Sequence, residues 1–219
     1  MIFAIIPVKR FENSKSRLAQ VLGLQERITL SELMLDDTLA ALATSGCFEE
    51  ILIVTSDCRA KEIASRRAAV VIFQENDAGV NSAVALADAY SAKAGAHATV
   101  VVPQDLPLMN TRDIAGVCAL AKAGPCVALC PSLRFDGTNI LLRKPPFAIA
   151  THYDDNSYES HLQAARAAGL PARVIESKNL MFDLDTPEDA IELAKIPDGM
   201  IAAKATASFI KSAMSDGSR

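Results

Sequence analysis

The chain has 219 residues, half of them hydrophobic and 22% charged, with a formal net charge of -4 at pH 7. That length suits a single α/β domain over 1–219, and the mild acidity leaves no cationic excess to hold nucleic acid. No apolar run reaches the ~18 residues of a membrane span, and the apolar opening lacks a basic n-region and stops at Pro7, so a soluble cytoplasmic protein is expected.

In chain order, short apolar runs at 2–6, 50–54, 69–73 and 98–102 alternate with amphipathic stretches of helical length. Such alternation predicts a mostly parallel, Rossmann-like sheet covered on both faces, a three-layer αβα sandwich. The spacing of Ile28, Leu35, Leu39 and Leu42 marks a helix over 25–43, and Asp57 stands where an N-cap precedes a helix over 59–67. A helix over 111–123 then leads into a strand at 126–130, on which Cys126 and Cys130 share a face. Five cysteines without a C-x-x-C pair read as reduced thiols, most of them in the core. The pattern loosens through Asp136-Gly137-Thr138-Asn139 and Pro145-Pro146, which predicts a hairpin or flap over the ligand site. A helix over 157–168, a strand over 172–176 and a helix begun by Thr186 and Pro187 follow, the last with Glu188 and Asp189 at its positive end. The alanine-rich residues 200–219 read as a peripheral helix with a frayed tail. Apolar positions between Ile201 and Met214 suggest a homodimer contact.

Open α/β sheets bind ligands beyond the carboxyl ends of their strands. The run Val100-Val101-Val102-Pro103-Gln104-Asp105-Leu106-Pro107 brings a carboxylate to such an end, and its two prolines stiffen the turn. Asp105 lies too early to cap the helix at Thr111, so it reads as a ligand for a hard cation, typically magnesium on substrate phosphates. The loop after the first strand carries Lys9, Arg10, Lys15 and Arg17 with Ser14 and Ser16. Cations, hydroxyls and backbone N–H groups in that place cradle polyphosphate, with a solvated basic loop as the plainer alternative. Asp183 and Asp185 flank Leu184, so in an extended segment both carboxylates point one way and join Asp105 around one or two metal ions; service at the helix terminus is the alternative for Asp185. Asn81 both donates and accepts, as a purine edge requires, and helix capping explains it equally well. Thr138, Ser157 and His161 are candidates for holding a second, anionic substrate, the latter two on one helical face; a helix start plus a surface histidine also accounts for that pair.

In this order, these residues resemble the 2-phospho-L-lactate guanylyltransferase family of deazaflavin coenzyme biosynthesis, within the wider nucleotidyltransferases similar to molybdenum-cofactor guanylyltransferase. The likeness spans nearly the whole chain. It rests on Ile6-Pro7-Val8-Lys9 with Lys15-Ser16-Arg17-Leu18, on Gly79-Val80-Asn81, on Pro103-Gln104-Asp105-Leu106-Pro107-Leu108, on Asp136-Gly137-Thr138-Asn139, on Ser157 with His161, and on Phe182-Asp183-Leu184-Asp185-Thr186-Pro187-Glu188-Asp189. It implies a fold of the nucleotide-diphospho-sugar transferase type, with Mg2+ on Asp105, Asp183 and Asp185. It further implies GTP phosphates on the loop from Lys9 through Lys15 to Arg17, guanine near Gly79 and Asn81, and Pro7, Val8 and Pro103 at the nucleotide. Thr138 and Ser157, with His161 beside them, would contact the phosphorylated acid. Asp154 stands where many relatives have glycine, and a carboxylate beside an anionic substrate has to be metal-bound or turned away. The implied reaction is attack by a phosphate oxygen of 2-phospho-L-lactate on the α-phosphorus of GTP, with Asp105, Lys9 and Lys15 as the catalytic groups. Phosphoenolpyruvate and 3-phosphoglycerate are near-isosteric rival acceptors. A sugar-nucleotide glycosyltransferase built on Asp183-Leu184-Asp185, or a nucleotide-sensing module without chemistry, are the remaining alternatives.

Overall fold

The computed structural model describes residues 1–122, 124–154 and 156–216. Among them, β1 (Ile2–Val8), β2 (Glu50–Thr55), β3 (Val70–Phe73), β4 (Ala98–Val101), β5 (Cys126–Pro131), β6 (Thr138–Lys144) and β7 (Ala172–Val174) form one sheet in the order β3-β2-β1-β4-β6-β5-β7. The pairs are parallel except those that β6 makes with β4 and β5. The helices are α1 (Leu24–Ser45), α2 (Cys58–Arg66), α3 (Val80–Lys93), α4 (Thr111–Leu120), α5 (Ser157–Ala167), α6 (Lys178–Met181), α7 (Pro187–Lys195) and α8 (Lys204–Asp216).

Strand β1 shows why both faces of the sheet are covered. Ala4, Ile6 and Val8 belong to the apolar cluster shared with α1, α2 and α4, while Phe3 and Ile5 belong to the one shared with α3 and α5. Side chains of a strand alternate between faces, so a strand without polar residues has to be buried on both. The same period puts Cys126 and Cys130 on one face and Val127 and Leu129 on the other, and all five cysteines are free thiols. Two caps stand where the sequence places them. The Asp57 side chain accepts from the N–H groups of Arg59 and Ala60, and Thr186 and Asp189 cap each other reciprocally at α7. Each such cap contributes about 1 kcal/mol.

The stretch expected as a flap is instead β6, an interior strand between β4 and β5. A hairpin does form, between β5 and β6, but Ile140, Leu141 and Leu142 are buried in the two sheet-face clusters rather than laid over a ligand. Because β6 runs antiparallel to β4, its amino end meets the carboxyl end of β4, which brings Thr138 and Asn139 to the ligand edge of the sheet.

The C-terminal segment is likewise no appendage. Ile201, Ala207 and Ile210 are buried in a third cluster with Leu30 and Met34 of α1 and Leu193 of α7. Its apolar positions are used within the chain, so the dimer contact expected there loses its basis. Ala123, expected to end α4, and residues 217–219 of the expected frayed tail lie outside the described residues. No helix among the described residues is long and apolar enough to cross a membrane.

Candidate active site

A cleft of about 280 Å³ opens beyond the carboxyl ends of β1 and β4. Pro7, Val8, Lys9, Lys15, Gly79, Pro103, Asp105, Thr138, Asp183 and Asp185 all line it. Ser14 of the basic loop and Asn139 of the Asp136-Gly137-Thr138-Asn139 motif line it too, as do Gln74 and Tyr153, which the sequence does not single out. Tyr153 lies in no recognisable motif.

The basic loop is held by its apolar residues. Phe11 and Leu18 are fully buried, and the Phe11 N–H donates to Asp57 Oδ2 at 2.8 Å, so the cations between them have little freedom to move away. Lys15 takes a left-handed backbone (φ 52°), a conformation that non-glycine residues adopt mostly at functional or constrained sites. Its Nζ lies 2.5 Å from Asp105 Oδ2 and 3.4 Å from Asp185 Oδ1, with the side chain only 4% exposed. Burial alone would pull the Lys15 pKa down, but the charges of Asp105, Asp185 and Asp183 outweigh it and leave it raised. Lys15 is therefore a firm cation. Arg17 does not line the cleft; it lies exposed and donates to Asp185 Oδ2 at 2.8 Å.

Leu184 is fully buried and its N–H donates to the Asp105 carbonyl at 3.0 Å, which pins the two acidic loops together. Burying such a side chain contributes about 2 kcal/mol, enough to hold the flanking carboxylates in place. Asp189, not Asp185, accepts from the N–H groups of Asp185 and Thr186, at 3.0 and 2.7 Å. Asp185 is thus spared from capping α7 and faces the cations. Lys15 and Arg17 hold its carboxyl below the usual range against the opposing effect of burial. Asp183 differs: burial, then the charge of Asp105, pushes it up to about 6.

Among the described residues, no three His, Cys, Asp or Glu side chains form a cage able to hold a metal ion by themselves. The oxygen-only donors Asp105, Asp183 and Asp185 instead suit magnesium, which is commonly bound by one or two carboxylates and completes its shell with substrate phosphates and water. A carboxyl raised on folding favours the folded state while protonated, and that contribution is lost as pH rises through about 6. In metal-free protein, Asp183→Asn is therefore expected to raise the melting temperature at pH 7.5 by about 2–5 °C, a gain that shrinks toward pH 4. Melts at both pH values check this, and a variant less stable than the parent at pH 7.5 would contradict it.

Ser157 and His161 do not line the cleft; both are buried behind Thr138. The Thr138 N–H donates to Ser157 Oγ at 2.8 Å, and Thr138 Oγ1 lies 2.9 Å from His161 Nδ1. Burial, then the proximity of His152, pulls His161 down to about 4, so its ring is neutral at pH 7. Asn81 is also off the cleft lining. Its Oδ1 accepts from the Tyr153 N–H at 2.8 Å and its Nδ2 donates to Asp154 Oδ2 at 3.1 Å, so its amide is occupied by protein at both ends. That bond turns the Asp154 carboxylate toward α3. Gly79, with φ of +86°, takes a backbone conformation that side chains resist, and its N–H donates to Asp77 Oδ1 at 3.1 Å.

A family model described as guanylyl transferase CofC like matches residues 2–212. The chain is 37% identical over 192 residues to the phosphoenolpyruvate guanylyltransferase of Rubrobacter xylanophilus, with 88% of this chain and 93% of that one covered. It is 34% identical over 202 residues to the 3-phospho-D-glycerate guanylyltransferase of Phenylobacterium zucineum, with 91% and 92% covered. To the 2-phospho-L-lactate guanylyltransferase of Methanothermobacter thermautotrophicus it is 30% identical over 190 residues, with 87% and 82% covered. Of the solved structures, a Desulfovibrio desulfuricans G20 protein assigned to the nucleotide-diphospho-sugar transferases superposes with a TM-score of 0.76 over 98% of this chain and 97% of that one, at 15% identity. The fold is accordingly that of the nucleotide-diphospho-sugar transferases, as the sequence resemblance implied.

Proposed function

Since the chain belongs to the CofC-like guanylyl transferases, we propose that it transfers GMP from GTP to the phosphate of a three-carbon phosphorylated acid. The observation that carries this reading is the meeting of Asp105, Asp183 and Asp185 around the buried Lys15 in one cleft. A nucleotide-sensing module has no need of such a charged set. Phosphoenolpyruvate, the acceptor in the name of the relative at 37% identity, ranks first; 2-phospho-L-lactate and 3-phospho-D-glycerate are the rivals.

In the reaction, a phosphate oxygen of the acceptor forms a bond to the α-phosphorus of GTP as the bond to the bridging oxygen breaks, and pyrophosphate leaves. A phosphomonoester has a second pKa near ~6, so the attacking oxygen is already largely deprotonated at neutral pH and no general base is needed. Positioning and charge neutralisation then carry the catalysis. Lys9 and Lys15 offset charge on the departing pyrophosphate, with Arg17 fixing Asp185 from the rim. Asp105, with Asp183 and Asp185, would hold magnesium, which when bound supplies charge stabilisation at the phosphates. Thr138 stands at the acceptor end.

The test incubates the protein with magnesium, each of GTP, ATP, CTP and UTP, and each of the three acids, and measures pyrophosphate release. Release with GTP alone, and only with an acid present, is the expected result; silence in every combination overturns the proposal. Discrimination among such similar acids is worth ~1–3 kcal/mol, or roughly 10- to 200-fold in kcat/KM, which this panel resolves. The rate should also fall between pH 7 and pH 5, because the acceptor phosphate, with a second pKa near ~6, takes up a proton there. A flat profile over that range would contradict the assigned nucleophile.

A further inference from the structure

We infer that His161 is a positioning residue for the acceptor, which sets the Thr138 hydroxyl as a hydrogen-bond donor facing the cleft and therefore facing an anion. This rests on the guanylyl transfer proposed above and identifies a group that recognises the acid. The backbone N–H of His152 lies 2.9 Å from His161 Nε2. A backbone N–H can only donate, so Nε2 carries no proton and the one proton of the neutral ring sits on Nδ1. That N–H faces Thr138 Oγ1 at 2.9 Å and must donate to it. The hydroxyl, having accepted, keeps its own proton, for which the described residues offer no acceptor.

Thr138 lines the cleft and its backbone is fixed by Ser157 Oγ, so the remaining direction for the proton is toward a bound ligand. A donor there suits a phosphate or carboxylate oxygen. The opposite tautomer would draw the threonine proton onto the ring and turn lone pairs toward the anion. The ring is held on a further side by the edge of Tyr153, with centroids 4.9 Å apart, and Tyr153 is in turn tied by its N–H to Asn81. His161 is fully buried and does not line the cleft, so it acts only through these neighbours.

Two measurements test the inference. In ligand-free protein at pH 7, the ¹⁵N shifts and couplings of the His161 ring should report the Nδ1–H tautomer; an Nε2–H ring overturns the inference whatever the enzyme does. In steady-state assays, Thr138→Val and His161→Phe should each raise the acceptor KM by about tenfold with the GTP KM unchanged. The double variant should be no worse than either alone, because both remove the same donor. His161→Asn, which returns an amide N–H near the Nδ1 position, should recover part of the loss. Additive losses, or an equal rise in the GTP KM, would make His161 merely structural and overturn the inference. If His161→Phe does not fold, Thr138→Val and the tautomer still decide. Failure of the wild-type protein to use GTP at all would instead count against the proposed function and leave the tautomer result standing.

Discussion

Asp105→Asn is expected to lower kcat by on the order of a hundredfold or more, while the melting temperature moves by only a few degrees. The two halves of that expectation have separate causes. Asp105 is stiffened between Pro103 and Pro107, and its carbonyl takes the Leu184 N–H, so the backbone geometry does not depend on the side-chain charge. Lys15, which loses an ionic partner, keeps Asp185 at 3.4 Å and can still donate to the amide oxygen, so no buried ammonium is left unpaired. What disappears is one negative charge from the set that, in the proposed reaction, would hold magnesium against the phosphates. Partners that merely orient metal ligands typically cost 10- to 100-fold when removed, and a residue in direct contact should cost at least as much. Steady-state rates at saturating GTP and magnesium, read beside a thermal melt, check both halves. Turnover within a few-fold of the parent would remove Asp105 from the chemistry, and a collapsed melting temperature would make it a structural residue.

Local features of the chain explain why so much of this site could be located beforehand. The proline-bounded Asp105 turn, the period-two pair Asp183 and Asp185, and the Thr186-Pro187 helix start are each set by neighbours within a few residues. So are the apolar runs that became β1 to β5. Features missed in the sequence depend on partners far along the chain. Asn81 reads as a free amide until Tyr153 and Asp154, over 70 residues away, occupy both its ends. His161 reads as either a direct substrate contact or a surface residue until Thr138 and His152 close around it. β6 was hidden because its run ends in Arg143 and Lys144 before two prolines, and an arginine normally signals surface. The alanine-rich C-terminus offered a helix but no sign that its apolar side would complete the core with α1 and α7.

Arg143 supplies the second large expected effect, on stability rather than turnover. It lies fully buried at the centre of the sheet, opposite Thr99 of β4 and Val127 of β5, and donates two 2.7 Å hydrogen bonds to the equally buried Asp88 of α3. Removing either partner from a buried pair typically costs about 3–5 kcal/mol, but the two losses should differ here. A guanidinium cannot shed its proton, so Asp88→Leu strands a permanent buried charge and should cost the full amount, roughly 10 °C in melting temperature for a domain of this size, at every pH. Asp88 has an escape: burial already pushes its carboxyl up against the opposing effect of Arg143, so in Arg143→Met it can bind a proton and become neutral. That variant should therefore lose less, and because a raised carboxyl pKa gives stability that fades as pH rises, its deficit should be smaller near pH 5.5 than near pH 8. The double variant Asp88→Leu/Arg143→Met, apolar at both positions, should return close to the parent melting temperature. Melts of the three variants at the two pH values decide the matter, since equal and pH-independent losses in both single variants would mean that Asp88 does not neutralise when Arg143 is gone. The pair also bears on the active site, because β6 carries Thr138 and β4 leads to Asp105, and Arg143 fastens β6 beside β4 through Thr99 Oγ1 at 3.3 Å. A double variant that melts like the parent but turns over more slowly would show that the ion pair holds those two strands in register for the chemistry rather than for the fold.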